Sequence, residues 1–198
     1  MIKSKTLLWL LPRLVIWRLA LVAIAALAIR FIPFKPSFPY SETLLAPTGS
    51  PLFWSWANFD GVHYLGIAMK GYFAQFTQAF FPLYPMLIRQ LDPLFHQPII
   101  TGLVISHLSL IGFLWLFYKL LRLDMADKSA KSTLIYLLLF PTAFFFGSLY
   151  TESLFMFTVI ASFYAARKHH FFWAGLAGAL AAATRVLGIV LIPALIIE

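Results

Sequence analysis

Cysteine is absent from this 198-residue chain, and acidic residues are scarce, with seven Asp and Glu against fifteen Lys and Arg. A chain without cysteine forms neither a disulfide nor a thiolate metal site. The sequence also contains no His-Glu-x-x-His motif, no Asp-x-Asp pair and no glycine-rich phosphate loop. These absences remove the usual support for a metal site, and we expect a protein that works without a metal ion or another cofactor.

Charged residues make up only 11% of the chain, whereas 62% of its residues are hydrophobic and the mean hydropathy is +0.87. A soluble domain of this length has too little interior to bury that much apolar surface, and runs of about 18 apolar residues indicate transmembrane helices. The net charge of +8 favours basic residues that set the orientation in the membrane. It does not favour a nucleic-acid partner, because no basic run is interleaved with aromatic residues.

The apolar stretches predict an all-α membrane protein, a helical bundle of about five transmembrane helices in a single domain over residues 1–198. The first stretch is too long for a typical signal peptide, so we expect it to be retained. The stretch 133–166 is too long for one helix, and its polar residues at 150–153 divide it into two short ones. The predicted spans are residues 7–29, 98–121, the two halves of 133–166, and 171–197.

The distribution of basic residues predicts the orientation of this bundle. Cytoplasmic loops are enriched in Lys and Arg, which favours a cytoplasmic N-terminus and an extracytoplasmic loop over residues 30–97. Arg13 and Arg18 lie inside the first helix, and we expect their long side chains to reach the cytoplasmic interface. The residues assigned to the cytoplasmic side are Lys3, Lys5, Arg13, Arg18, Lys119, Arg122, Lys128, Lys131, Arg167 and Lys168; those assigned outside are Arg30, Lys35, Lys70 and Arg89.

The loop 30–97 mixes proline, aromatic and polar residues, and no part of it is apolar enough to span a membrane. Such a mixture suits the headgroup region of a bilayer. We predict two short interfacial helices in it, at about residues 59–69 and 85–91.

Asp60 is the strongest candidate for chemistry in this loop. On a helix over 59–69 it shares a face with His63 and Tyr64, since residues three and four apart are neighbours. The opposite face carries Val62, Leu65 and Met69 and would rest on the bilayer surface. Asp60 would then be a general base, with His63 and Tyr64 positioning the substrate. The alternative is that Asp60 only stabilises the N-terminus of its helix.

Arg185 is the second candidate, because it lies about 20 Å into the predicted fifth span. An arginine at that depth needs a partner. Glu152 lies at the turn between two short helices, and we expect it at a neighbouring depth. The pair is either structural or part of an outward-facing cavity in which Arg185 binds an anionic group such as a phosphate.

Three blocks of sequence together resemble one known family. They are FDGVHYLGIAMKGY with AFFPLYPMLIR, then FPTAFFFGSLYTESLF, then AAATRVLG. The set is similar to the PIG-V-like mannosyltransferases, which are integral-membrane glycosyltransferases of the GT-C type. The chain departs from the family pattern at Phe59, where a tryptophan is usual, and at Val186-Leu187, where Ser-Asn is usual. Family members are longer, so the resemblance and the abrupt end at Glu198 lead us to expect an N-terminal fragment.

The resemblance implies a function and roles for individual residues. The donor would be polyprenyl- or dolichyl-phosphate mannose, and transfer would go with inversion to a glycolipid or glycan acceptor on the extracytoplasmic side of the plasma membrane or endoplasmic reticulum. Asp60 would deprotonate the acceptor, Arg185 would neutralise the phosphate, and Glu152 would either orient Arg185 or bind hydroxyl groups of the acceptor. The aromatic residues near them, among which Tyr84 and Tyr150 are candidates, would contact the sugar.

Two other functions stay open at this point. In a transporter or flippase of lipid-linked sugars, Arg185 and Glu152 would line a pathway, although transport sites usually lie near the membrane midplane rather than in a large loop. A non-catalytic membrane subunit would need none of these roles.

Overall fold

The computed structural model describes residues 2–32 and 38–197, and no strand occurs within these ranges. The longer helices are α1 (Ile2–Phe31), α4 (Leu83–Phe95), α5 (Pro98–Leu121), α6 (Asp127–Leu139), α7 (Glu152–Ala166) and α8 (Phe171–Thr184). Shorter helices are α2 (Pro51–Trp54), α3 (Asp60–Lys70) and α9 (Leu191–Ile197), and 3-10 segments lie at Pro141–Gly147 and Val186–Val190.

The all-α membrane fold predicted from composition is confirmed. Among the described residues, two helices are long and apolar enough to cross a membrane, Thr6–Phe31 and Pro98–Leu121, and the second has the bounds that the sequence predicts. A third crossing results if α6 and the 3-10 segment after it form one span. The helices α7 and α8 and the segment Val186–Ile197 are apolar but shorter.

The polypeptide bends earlier than we predicted between α6 and α7. The helix ends at Leu139, and the chain turns by 88° into the segment Pro141–Gly147. Proline disfavours helical backbone in the residue before it, and Phe140 is accordingly extended, with φ −64° and ψ 137°. The prediction that α6 continues to the turn at residue 150 is therefore wrong.

The predicted fifth span is also broken. Helix α8 ends at Thr184, Arg185 has extended backbone with φ −154° and ψ 143°, and a 3-10 segment follows. A Cβ on Gly188 would lie 2.2 Å from the backbone nitrogen of Ala182. The chain after Arg185 thus folds back against the end of α8, and only glycine leaves room for that contact.

Helix α5 occupies the middle of the structure and packs against α4 and α7, and α7 packs along α8 as an antiparallel hairpin. One buried cluster surrounds Phe113 and Leu134, and a second surrounds Tyr84, Leu65 and Leu149. The second cluster holds the segment 51–70 against α4 and α5, so the predicted outer loop is a packed part of the fold.

Helix α3 is more deeply packed than its sequence pattern suggests. Val62 and Leu65 are buried in the second cluster, as is Tyr64 on the other predicted face, while Asp60 and Met69 are exposed. The prediction that Val62 and Leu65 face the bilayer is wrong, because an apolar face packs equally well against protein or lipid.

Helix α1 stands at the edge of the bundle, and most of its side chains are exposed. Trp17 donates its Nε1–H to the carbonyl of Leu138 at 2.8 Å, and Arg18 donates to the carbonyl of Gly147 at 2.8 Å. The Arg18 guanidinium also lies 3.8 Å from the ring centre of Trp56. Arg18 therefore points to the segments near residues 56 and 147, and not to the N-terminal end of α1, where we predicted that its side chain reaches the cytoplasmic interface.

Several other basic residues gather at the opposite end. Arg167 makes a bidentate pair with Asp124 at 3.0 and 3.1 Å, and Lys131 pairs with Asp127 at 2.7 Å. This grouping agrees with the predicted common side for the 122–131 and 167–170 loops. That this side is cytoplasmic stays a prediction. Lys35 lies outside the described residues, as do the side chains of Lys3 and Lys5.

Candidate active site

Asp60 is the first residue of α3 and is exposed. The structure shows no hydrogen bond or ion pair from its carboxylate to any described residue. Phe59, directly before it, has φ +52° and ψ −114°, which costs a non-glycine residue about 1–3 kcal/mol. This backbone turn presents the Asp60 carboxylate to the surface and leaves it open to a substrate. The alternative role at a helix N-terminus remains compatible with its position.

The segment before Asp60 is joined to the segment before α7 by hydrogen bonds. The Leu149 amide donates to the carbonyl of Trp56 at 2.8 Å, and the Tyr150 hydroxyl donates to the carbonyl of Asn58 at 2.8 Å. A Cβ on Gly61 would lie 3.1 Å from the carbonyl oxygen of Leu149, tighter than most such contacts. Glycine at 61 thus favours the close approach that brings the two segments together.

Glu152 and Arg185 form the ion pair that the sequence predicts. Arg185 Nη1 lies 2.6 Å from Glu152 Oε1, and the two side chains are 38% and 26% exposed. Glu152 is the first residue of α7 and Arg185 follows the last residue of α8. Because these helices pack antiparallel, residues 33 positions apart in sequence meet at the same end of the hairpin.

The Thr-Arg-x-x-Gly sequence explains how Arg185 is held. The Thr184 hydroxyl donates to the carbonyl of Ala181 at 2.6 Å and closes the helix end, and the Gly188 amide donates to the carbonyl of Arg185 at 2.9 Å. These bonds and the Gly188 contact with α8 fix the extended backbone at Arg185. The guanidinium then reaches back to Glu152, with its centre 5.9 Å from the Phe155 ring.

Tyr64 connects the two halves of the site. Its hydroxyl lies 3.4 Å from the hydroxyl of Thr151, and the charges of Asp60, Glu152 and Arg185 all act on its phenol. Burial, with smaller contributions from the two carboxylates, raises the pKa of Tyr64 to about 12. Tyr64 therefore stays protonated at neutral pH and can donate a hydrogen bond to a ligand between Asp60 and Arg185.

His63 lies beside Asp60 in a mostly aromatic setting. Its ring stacks on Phe80 at 4.7 Å between centres and meets the edge of Tyr40 at 6.1 Å. Burial lowers the pKa of His63, and the Asp60 charge raises it by less. The neutral ring is thus favoured, which suits a positioning role better than a cationic one.

The two remaining predicted residues occupy different places. Tyr150 lies at the junction of the two segments, and burial and the Asp60 charge raise the pKa of its hydroxyl. Tyr84 is fully buried. Its hydroxyl donates to the carbonyl of Gly102 at 2.9 Å, lies 2.8 Å from the Ser106 hydroxyl, and its ring packs against Tyr64. The structure places Tyr84 behind Tyr64 as a support, whereas we expected Tyr84 to contact the sugar.

Three buried polar atoms near the site have no hydrogen-bond partner among the described residues: Asn58 Oδ1, His63 Nδ1 and Glu152 Oε2. Buried polar groups are normally paired, so a ligand or a water molecule can supply the partner that each of these atoms lacks. We did not select Asn58 and Thr151 as site candidates from the sequence. The only sequence signal for them is that Asn58 lies two residues before Asp60 and Thr151 directly precedes Glu152.

The described residues contain no group of three or more His, Asp and Glu that could hold a metal ion. The arrangement consists instead of one open carboxylate, one arginine held by a glutamate, and a tyrosine hydroxyl between them. Such a set can accept a proton at Asp60 and stabilise negative charge at Arg185.

A sequence model of the family described as Mannosyltransferase (PIG-V) matches residues 3–197. The match includes every candidate site residue and confirms the resemblance seen in the three sequence blocks. Comparisons with curated proteins and with solved structures found no match.

Proposed function

This chain belongs to the PIG-V mannosyltransferase family, and on that premise we propose that it transfers a mannosyl residue from a polyprenyl-phosphate donor to a glycolipid or glycan acceptor. The mannosyltransferase class follows from the family. The donor, the acceptor, inversion at the sugar and transfer on the extracytoplasmic side are our proposal.

The observation that carries the proposal is the placement of Arg185. A guanidinium that is 38% exposed and held at 2.6 Å by Glu152 is suited to a phosphate, because its remaining N–H groups can still donate to an anion. Asp60 lies in the same region, because it is on the same helix as Tyr64, whose hydroxyl lies 3.4 Å from that of Thr151, the residue before Glu152. A proton acceptor and an anion binder around one tyrosine are what a displacement at a sugar phosphate requires.

The reaction proceeds by a single displacement in this proposal. The acceptor hydroxyl gives its proton to the Asp60 carboxylate while its oxygen bonds to the anomeric carbon of mannose. The bond from that carbon to the phosphate oxygen breaks, and its electron pair leaves with polyprenyl phosphate. Arg185 stabilises the charge that develops on that oxygen. The leaving group, polyprenyl phosphate, carries a single phosphate that one arginine can neutralise, so we still expect an enzyme that works without a metal ion.

A transporter of lipid-linked sugars is the competing function. It would use Glu152 and Arg185 as pathway residues. It gives no role to the Asp60 carboxylate, which has no ion pair among the described residues, or to the strained backbone of Phe59. The site also includes the segment 55–61 outside the long apolar helices. These features favour transfer over transport.

The test uses the full chain reconstituted in liposomes with radiolabelled polyprenyl-phosphate mannose and the lipid extract of the host membrane. We expect a mannosylated product whose new bond has the inverted anomeric configuration, measured by NMR. Movement of the donor across the bilayer without any transfer would favour the transporter, and a product with retained configuration would contradict the single displacement.

A further inference from the structure

Two tyrosines link the two halves of the candidate site in opposite directions. Tyr64 lies on α3 with Asp60, and its hydroxyl lies 3.4 Å from that of Thr151, directly before α7. Tyr150 lies in the turn before α7, and its hydroxyl donates to the carbonyl of Asn58 at 2.8 Å, two residues before α3. The spacing between Asp60 and the ion pair that begins α7 therefore depends on where these two tyrosines are held.

Two buried hydroxyl groups lie behind these tyrosines. Tyr84 of α4 and Ser106 of α5 are both 0% exposed, and their hydroxyl oxygens are 2.8 Å apart. The Tyr84 ring meets the Tyr64 ring edge to face, at 5.4 Å between centres. The Ser106 hydroxyl donates to the backbone carbonyl of Tyr150 at 3.3 Å. The two hydroxyl-bearing residues thus connect both tyrosines to the core helices.

The turn before α7 depends on Ser106 more than on Tyr84. Among the described residues, Ser106 is the only donor that the structure shows to the Tyr150 carbonyl. Tyr150 is 8% exposed, and a buried carbonyl that loses its donor is destabilising. The Tyr84 hydroxyl also donates to the carbonyl of Gly102 at 2.9 Å, so it stays bonded when the Ser106 hydroxyl is removed.

Small residues on one face of α5 make this contact possible. Gly102 and Ser106 are four residues apart and lie on the same side of the helix. A Cβ on Gly102 would lie 2.7 Å from side-chain atoms of Leu149, so glycine lets the turn before α7 approach α5 closely. The Ser106 hydroxyl then reaches the carbonyl of the next residue, Tyr150. An alanine at 106 would keep the close approach and remove only the hydrogen bond.

We propose that Ser106 is a positioning residue of the mannosyltransferase reaction. It holds the Tyr150 carbonyl, and the Tyr150 hydroxyl holds the segment before Asp60. The same turn leads into Glu152, which holds Arg185. Because Ser106 is fully buried, it acts through these neighbours and not on a substrate. The inference rests on the proposed function, which requires a fixed spacing between the proton acceptor and the phosphate binder.

The first test compares the kinetics of Ser106→Ala and Ser109→Ala in the liposome assay. Both serines are buried on α5, but the structure shows no hydrogen bond from the Ser109 side chain to any described residue, so Ser109→Ala is the matched control. Ser106→Ala should lower kcat about tenfold, because the reacting groups lose their alignment. KM for the donor should change less than about twofold, because the Glu152–Arg185 pair stays intact. A kcat equal to that of the control would overturn the inference.

A double-mutant cycle separates positioning from a general loss of stability. If Ser106 acts through Tyr150, the loss of kcat in Ser106→Ala with Tyr150→Phe should be clearly smaller than the product of the two single losses. The unfolding temperature of each variant is measured in parallel. Losses that multiply would overturn the inference, and so would a rise in KM for the donor that matches the fall in kcat.

The second test needs no turnover and is separate from the proposed function. The Leu149 amide donates to the carbonyl of Trp56 at 2.8 Å, so its hydrogen exchange reports on the junction between the two segments. Measured by mass spectrometry in nanodiscs, exchange at Leu149 should be about tenfold faster in Ser106→Ala and unchanged in Ser109→Ala.

Exchange at the wild-type rate in Ser106→Ala would overturn the inference, because the turn would then hold its place without the serine. Absent transfer by the wild-type chain would instead contradict the proposed function. The exchange rate at Leu149 would still decide whether Ser106 holds the two segments together.

Discussion

Replacement of Arg185 by leucine tests the phosphate-binding role most sharply. The substitution removes the guanidinium that Glu152 holds at 2.6 Å and keeps an apolar side chain beside Phe155. The interaction energy of two unit charges 4 Å apart is about 4 kcal/mol at the effective dielectric constant of a protein surface. Because the Arg185 side chain is 38% exposed, solvent screening removes about half of this. We expect kcat/KM for the donor to fall roughly 30- to 150-fold, which is about 2–3 kcal/mol.

The assay measures transfer from polyprenyl-phosphate mannose with the donor and the acceptor varied separately. The loss should appear in kcat and in KM for the donor, while KM for the acceptor stays within about twofold. Arg185→Lys should recover part of the activity, since a lysine keeps the charge but not the planar arrangement of donors. Glu152→Gln should cause a smaller loss, because it keeps an acceptor for Arg185 and removes only the carboxylate charge.

Arg89→Leu is the matched control, because Arg89 is an exposed arginine on α4. The unfolding temperature of each variant in detergent separates misfolding from a lost contact. An equal loss of donor and acceptor kcat/KM, together with a lower unfolding temperature, would refute the reasoning and identify the Glu152–Arg185 pair as structural.

Three further predictions concern the supports of the site. Gly188→Ala should lower the unfolding temperature and the transfer rate, because its Cβ would overlap backbone atoms of α8 at 2.2 Å, whereas Gly175→Ala, with open space around the Cβ, should change neither. Tyr150→Phe removes the bond to the carbonyl of Asn58 and should reduce kcat roughly threefold to tenfold without changing expression. Burial lowers the pKa of His63 below its ordinary 6.5, so the unfolded chain binds a proton at His63 more readily than the folded chain does. The free energy of unfolding should therefore fall as the pH drops through about 6.5. His63→Gln should weaken this decrease in thermal unfolding measured from pH 8 to 5, and an unchanged pH dependence would contradict the assignment.

The elements that the sequence predicted best have strong local signals. The bounds of α5 follow from a long, mostly apolar run that begins at Pro98 and ends before Arg122. The pairing of Glu152 with Arg185 was found because charged residues are rare in this chain and need partners when they lie among apolar helices.

The wrong predictions concern features that tertiary contacts determine, such as the burial of a helix face or the direction of a side chain. Hydropathy does not distinguish an apolar face that packs on protein from one that contacts lipid, so the burial of Val62 and Leu65 was not predictable. Arg18 could turn to either end of α1, and only the Gly147 carbonyl and the Trp56 ring decide its direction. The break after Phe140 had a local signal, since Pro141 follows it, whereas the break at Arg185 depends on the contact of Gly188 with α8.

The most direct measurement of the central claim is mannosyl transfer by Asp60→Asn in liposomes. Asparagine keeps the shape of the side chain but does not accept a proton, so the rate should fall about 10²- to 10⁴-fold while donor binding persists. Asp92→Asn is the control, because Asp92 accepts a hydrogen bond from Thr101 at 3.0 Å that an asparagine oxygen can also accept, and its rate should match the wild type. Transfer by Asp60→Asn at the wild-type rate would contradict the account.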